Sequence, residues 1–167
     1  DESAIQNRAI FTSRKDRNLN MLINIWKNNI FPKDKSISLY VTPTNLIDNN
    51  YNIFSRQFDN KKSMVRDLLK SKVLLVPGHK GEIYCIAAEE ARELCIPIVT
   101  LGIGSLAERV KHGITGFIAK NYEEFAYYSL KIFHDEVLWK SLRTNLIEMR
   151  GTKQWYSVAI NLLKQIN

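Results

Sequence analysis

Residues Val73–Val76 read Val-Leu-Leu-Val and stop at Pro77-Gly78. A short run without polar residues suits a parallel strand covered on both faces, because such a strand has no solvent side for a polar side chain. Short β-like runs of this kind alternate along the chain with stretches whose apolar residues fall at helical spacing. Arg8–Ser13, Ser36–Val41, Tyr51–Ser55, Pro97–Leu101 and Phe117–Ala119 read as further strands. Leu19–Trp26, Lys62–Lys70, Ile83–Leu94 and Leu106–Lys111 read as helices. Tyr122–Asn167 reads as a helical end segment in which Trp139 and Trp155 are packing anchors. This alternation predicts an α/β fold, a doubly wound parallel sheet with helices on both faces. Such sheets bind ligands outside the C-terminal ends of their strands, where strand order reverses. The loops after Ser13, Val76 and Leu101 are the expected places for a site.

With 167 residues the chain makes one domain, large enough to bury a core. No stretch approaches the roughly 18 uninterrupted apolar residues of a membrane span. The net charge of +7 favours anionic partners, phosphates among them, over a purely solvated basic surface only weakly. Nucleic acid is not expected, because the cations are scattered and no zinc finger or RNA-recognition aromatic motif occurs. Cys85 and Cys95 form no Cys-x-x-Cys, and they read as buried free thiols of a cytoplasmic protein. His79, His112 and His134 lie far apart, so no metal site is expected.

Two loops carry residues suited to an anion. After the apolar strand comes Pro77-Gly78-His79-Lys80-Gly81, and then Glu82, which stands at the start of the expected helix. Gly78 and Gly81 would let backbone approach a ligand, and a helix N-terminus offers unpaired N–H groups to a diphosphate. Glu82 itself either contacts the ligand or complements the helix dipole. Arg14 and Arg17 follow the first strand, and guanidinium groups bind phosphate through charge-assisted bonds. Lys15 competes with Arg17 for that role. Gly102-Ile103-Gly104-Ser105-Leu106-Ala107 fits the spacing of a dinucleotide fingerprint but comes too late in the chain. Its turn is expected to offer N–H groups near the ligand.

The segment Glu82–Val99, E-I-Y-C-I-A-A-E-E-A-R-E-L-C-I-P-I-V, resembles the signature of glycosyltransferase family 4, the "group 1" glycosyl transferases of the GT-B superfamily. In that signature a Glu is followed by seven residues, then Glu-Ala, then Pro before a strand. Glu82 and Glu90 take the two Glu positions, with Ala91 and Pro97 following. Gly104-Ser105-Leu106-Ala107-Glu108 resembles the family's Gly-Gly-Leu-Pro-Glu, and His112–Phe117 its Asp-Gly-x-Thr-Gly-Phe. Ser13-Arg14 and Arg17-Asn18-Leu19 resemble a shortened Gly-Arg…Lys-Gly-Leu turn. Asn18 and Cys95 stand where the family usually has Gly.

The resemblance implies a Rossmann-like C-terminal domain that binds a nucleoside diphosphate sugar, spanning residues 1–167 with a helical end segment from about 121. It implies that Glu82 contacts the donor sugar, that Glu90 holds the ribose diol, and that Arg14 and Arg17 hold the diphosphate. Gly78, His79, Gly81, Ile83, Tyr84, Gly104 and Ser105 are expected around the donor, and Arg56 against the base. Glu89 is expected at the surface. Implied too is sugar transfer with retention, of the hexosyltransferase type, in polysaccharide or glycolipid synthesis. No cofactor and no metal are expected, and no Asp-x-Asp occurs in the chain. An N-terminal acceptor domain is expected to be missing, which would leave the fragment inactive alone. The expected location is cytoplasmic, with that domain bringing the protein to the inner face of a membrane. A non-catalytic nucleotide-binding module and another GT-B enzyme, such as a sugar-nucleotide epimerase, are the alternatives.

Overall fold

A computed structural model of the protein describes residues 6–45, 47–57 and 61–150. Its strands are β1 (Gln6–Phe11), β2 (Ser38–Val41), β3 (Ile53–Ser55), β4 (Ser71–Leu75), β5 (Ile98–Thr100) and β6 (Gly116–Ile118). They form one sheet in the order β3-β2-β1-β4-β5-β6, and every neighbouring pair is parallel. The fold is the Rossmann-like α/β sheet that the alternating pattern predicts. Strand order reverses between β1 and β4, whose register pairs Ala9 with Val73 and Ile10 with Leu74.

The helices are α1 (Leu19–Ile25), α2 (Lys61–Leu69), α3 (Ile86–Glu93), α4 (Leu106–Arg109), α5 (Tyr122–His134) and α6 (Glu136–Met149). From β1 the chain winds through α1 toward β2 and β3; from β4 it winds the other way through α3 to β5. Right-handed crossovers therefore put α1 and α3 on opposite faces of the sheet. Helix α5 returns to the face of α1, where it contacts β4, β5 and the extension of α1.

Among the element boundaries that differ from expectation, three do so through packing or capping contacts. Helix α1 does not stop at Trp26 but continues as a wider π turn, Trp26–Ile30. The Phe31 N–H donates to the Trp26 carbonyl at 2.8 Å, and Trp26, Ile30 and Phe31 are all buried as a result. Strand β4 starts at Ser71, ahead of the apolar run, because Lys72 is accommodated inside it. Its ammonium donates to the Phe133 carbonyl at 3.1 Å and to Glu136 at 2.9 Å, while Trp139 Nε1 donates to the Lys72 carbonyl at 3.0 Å. Paired in this way, a buried lysine is tolerated. The end segment is broken at Asp135, whose side chain accepts from Leu138 N–H and caps α6. Trp139 anchors α6 against β4, as expected; Trp155 lies outside the described residues.

Gly116 opens β6 opposite Ile98 of β5. A Cβ at Gly116 would fall 2.0 Å from the Ile98 carbonyl oxygen and 2.8 Å from its nitrogen. Backbone cannot yield there without opening the β5–β6 ladder. Gly116→Ala is expected to lower the free energy of unfolding by about 3 kcal/mol, the upper end of overpacking costs. A denaturant midpoint equal to that of the unsubstituted protein would refute the assignment.

Candidate functional site

At the β1/β4 switch the loops leave an open cleft of about 290 Å³. Thr12, Ser13, Arg14 and Arg17, from the turn between β1 and α1, form one wall. Glu82, Tyr84 and Cys85, from the loop after β4, form the other with Ile86, Ala87 and Glu90 of α3. This is where a doubly wound sheet offers a ligand site. The cleft thus brings together Arg14, Arg17, Glu82, Tyr84 and Glu90 out of the residues singled out in the sequence. Thr12, Ser13, Cys85, Ile86 and Ala87 join them; none is among the expected site residues, though all but Thr12 lie within the segments that resemble the family.

The two arginines differ in setting. Arg14 is exposed and pairs with Asp16 through Nε at 3.0 Å and Nη2 at 2.6 Å. Arg17 is held more deeply, its side chain 23 % exposed. Its Nη1 lies 3.1 Å from His79 Nδ1, and its Nε lies 3.7 Å from Glu82 Oε2. Lys15, the competing cation, is exposed and does not line the cleft.

Glu82 is not on a helix. Helix α3 begins at Ile86, so Glu82, Ile83 and Tyr84 belong to the loop before it. The dipole explanation for Glu82 therefore loses its basis, since the effect fades within the first helical turn. Its carboxylate is 15 % exposed and turns toward Arg17. Ile83 points to solvent, 90 % exposed, and does not line the cleft. Tyr84 lies under the Arg109 guanidinium, 4.1 Å from its ring centre, and Arg109 in turn pairs with Glu89 at 2.9 Å. Glu89 also binds Arg92 at 2.8 Å, so it is a half-buried anchor of α3, not the surface residue expected.

Glu90 sits one residue further on α3 and faces the cleft. Burial pushes its carboxyl above the ordinary glutamate value, and the charges of Lys61 and Arg56 oppose that shift. Arg56 is thus near Glu90, but it is not an open stacking surface. It is buried, with Nε donating to Asp67 at 2.8 Å. Asp67 also receives Arg8, which lies against Tyr40, so both guanidinium groups are tied into the sheet. In Cys85, burial above all, with Glu82's charge adding, holds the thiol above its usual value and keeps it protonated.

Gly78 and Gly104 have a packing role that local sequence does not reveal. The Cβ side of Gly78 faces Ile103, whose oxygen would be 2.5 Å away, and that of Gly104 faces the carbonyl oxygens of His79 at 2.4 Å and Glu82 at 2.9 Å. Both have positive φ, 100° and 70°, which also favours glycine. They let the loops after β4 and β5 pack closely on one another. Ser105 N–H is likewise engaged, donating to the Glu82 carbonyl at 3.0 Å, and Gly102 N–H donates to Thr100 Oγ1 at 3.1 Å. The turn after β5 therefore supports Glu82 from behind. Asn18, with φ 64°, donates its amide to the Gly78 carbonyl and links the two walls. Thr12 Oγ1, on the cleft wall, is buried without a hydrogen-bond partner among the described residues. Among those residues no group of three or more His, Cys, Asp or Glu side chains could hold a metal ion. No helix among them is long and apolar enough to cross a membrane.

Several solved structures share this architecture. HepE of Anabaena, in complex with UDP and glucose, superposes with a TM-score of 0.74 at 13 % identity, over 96 % of this chain and 48 % of that one. TarM of S. aureus, in a complex that includes UDP, gives 0.72 at 17 % identity over 98 % and 36 %. The C-terminal domain of LpcC, a glycosyl transferase group 1 family protein of Francisella tularensis, gives 0.67 at 15 % identity over 91 % and 89 %. The chain therefore spans less than half of HepE and TarM, and most of the LpcC domain. At such identities the likeness concerns the fold. None of the curated proteins matches the sequence. Residues 44–150, which include Glu82, Glu90, Pro97 and the turn after β5, match the family described as Glycosyl transferases group 1, and to that family of glycosyltransferases the chain belongs.

Proposed function

We propose that the chain is the donor-binding, C-terminal domain of a retaining glycosyltransferase that takes its sugar from a nucleoside diphosphate sugar. One observation carries the reading: Arg14, Arg17, Glu82 and Glu90 line a single cleft at the strand-order reversal. The arginines would meet the diphosphate, Glu82 the donor sugar, and Glu90 the ribose diol. A carboxylate has two acceptor oxygens, which suits two vicinal hydroxyl donors. Thr12 Oγ1 would find its missing partner in the same ligand. HepE with UDP and glucose, TarM with UDP, and the near-complete span of the LpcC domain support this reading.

In this mechanism the bond between the anomeric carbon and the β-phosphate oxygen breaks, and its electron pair leaves on the diphosphate. The acceptor oxygen bonds to the same face of the sugar and gives its proton to the departing phosphate. Arg14 and Arg17 stabilise the charge that develops there, as preorganised cations do in a partly enclosed site. The acceptor would be held by a second domain across the cleft, which would also bring the protein to the cytoplasmic face of a membrane. A hexose passed to a growing polysaccharide or glycolipid is the proposed outcome.

Calorimetric titration of the full-length protein with UDP-, GDP- and ADP-sugars tests the reading, and binding of none of them would overturn it. Residues 1–167 alone are expected to transfer little or no sugar. Glu90→Ala is expected to weaken the best donor about 10- to 100-fold, the worth of hydrogen bonds to a charged group. The 2′-deoxy donor should lose correspondingly less from that substitution. Chelation with EDTA should leave donor affinity unchanged; a chelator-sensitive affinity would replace the arginine mechanism with a metal one.

Glu90 also sets a pH dependence. Its folded-state pKa lies above the value of an unfolded glutamate, so the folded protein binds that proton more tightly. The stability contribution is present at low pH and declines as pH rises through the folded value. Donor affinity runs the opposite way, because the ribose needs the ionised carboxylate. Affinity should fall as pH drops through the raised value, with a proton released on binding below it, and Glu90→Gln should flatten the profile.

A further inference from the structure

His79 does not line the cleft, yet it touches the residue that reaches into it. Two groups address the same ring atom: Gly81 N–H donates to His79 Nδ1 at 3.0 Å, and Arg17 Nη1 approaches it at 3.1 Å. A backbone N–H and a guanidinium can only donate. Nδ1 must therefore be the acceptor, and the neutral ring carries its proton on Nε2. A Cβ at Gly81 would lie 3.2 Å from His79 Nδ1 and 3.3 Å from its Cε1, so the ring would have to give slightly.

From this geometry we infer that His79 is a positioning residue for Arg17, gripping Nη1 from behind so that the Nε–Nη2 edge faces the cleft. That edge is the one on which a guanidinium takes a phosphate with two parallel bonds. The Nε already points toward Glu82 across 3.7 Å, a gap too long for a hydrogen bond and open to displacement by a ligand oxygen. Nη2 has no partner among the described residues. An arginine side chain free to rotate would lose conformational entropy on binding; one held at Nη1 has lost much of it beforehand. The inference rests on the donor-binding reading for its consequence and on the free protein for its geometry.

Two measurements on the full-length protein test it. In the first, two-bond ¹H–¹⁵N correlation spectra of the ligand-free protein report the His79 tautomer. A proton on Nε2 is expected, and a proton on Nδ1 would overturn the inference whether or not any donor binds. The second compares UDP with uridine for His79→Asn, whose amide oxygen reaches the place of Nδ1, and for His79→Leu, which has no acceptor. His79→Leu should weaken UDP about tenfold, the worth of one charge-assisted hydrogen bond, and leave uridine unchanged. His79→Asn should stay close to the unsubstituted protein. In an Arg17→Ala background, His79→Leu should have no further effect on UDP. Equal losses for Asn and Leu, equal losses of UDP and uridine, or additivity with Arg17→Ala would each refute a role exerted through Arg17. If the unsubstituted protein bound no nucleoside diphosphate at all, the donor reading would fall, while the tautomer would still decide how Arg17 is held.

Discussion

The far wall of the cleft depends on how closely two loops can approach. Gly104, in the turn after β5, sits against the carbonyl oxygens of His79 and Glu82, and Gly78 sits against Ile103. A side chain at either position would force the loops apart by clashing with backbone, which cannot rotate away. Ser105 N–H completes the contact by binding the Glu82 carbonyl. Glu82 thus owes its place to a neighbouring turn and not to a helix of its own. The near wall is joined to this arrangement through the Asn18 amide on the Gly78 carbonyl and through Arg17 on His79.

That dependence explains what the chain's letters made legible. The apolar run at Val73–Val76 and the alternation around it suffice for the parallel sheet, because burial on both faces leaves a period that can be read locally. Glu82 and Glu90 stand out through the resemblance to the family signature, and both line the cleft. What escaped was whatever depends on contacts distant in sequence. Arg56 reads as a free cation after a strand until Asp67 is found beside it. Glu89 reads as exposed until Arg109 arrives from α4. Gly78 and Gly104 read as ligand-approach glycines, since nothing local says that the other loop is the object approached. Helix α3 starts three residues later than the apolar pattern implies, because Ile83 and Tyr84 mimic a helical face while standing in a loop.

Asn18 and Cys95, the two positions where the resemblance would have glycine, share one backbone feature. Asn18 and Cys95 both adopt positive φ, 64° and 56°, where a side chain costs on the order of 1 kcal/mol relative to glycine. Asparagine is the residue best suited to that conformation after glycine, and its amide here makes a tertiary contact that glycine could not. Cys95 closes the end of α3, with its N–H on the Arg92 carbonyl and its side chain buried.

Because α1 and α3 lie on opposite faces of the sheet, the two walls of the cleft hang from different halves of the molecule and meet in the loops beyond the ends of β1 and β4. A pyrophosphate lodged between Arg17 and the head of α3 would act as a clip across that seam. It would couple the melting of one half to the other, so that occupancy makes unfolding more cooperative as well as rarer. The sheet, together with the Asn18 and Arg17 links between the loops, fixes the spacing of the jaws before any ligand arrives.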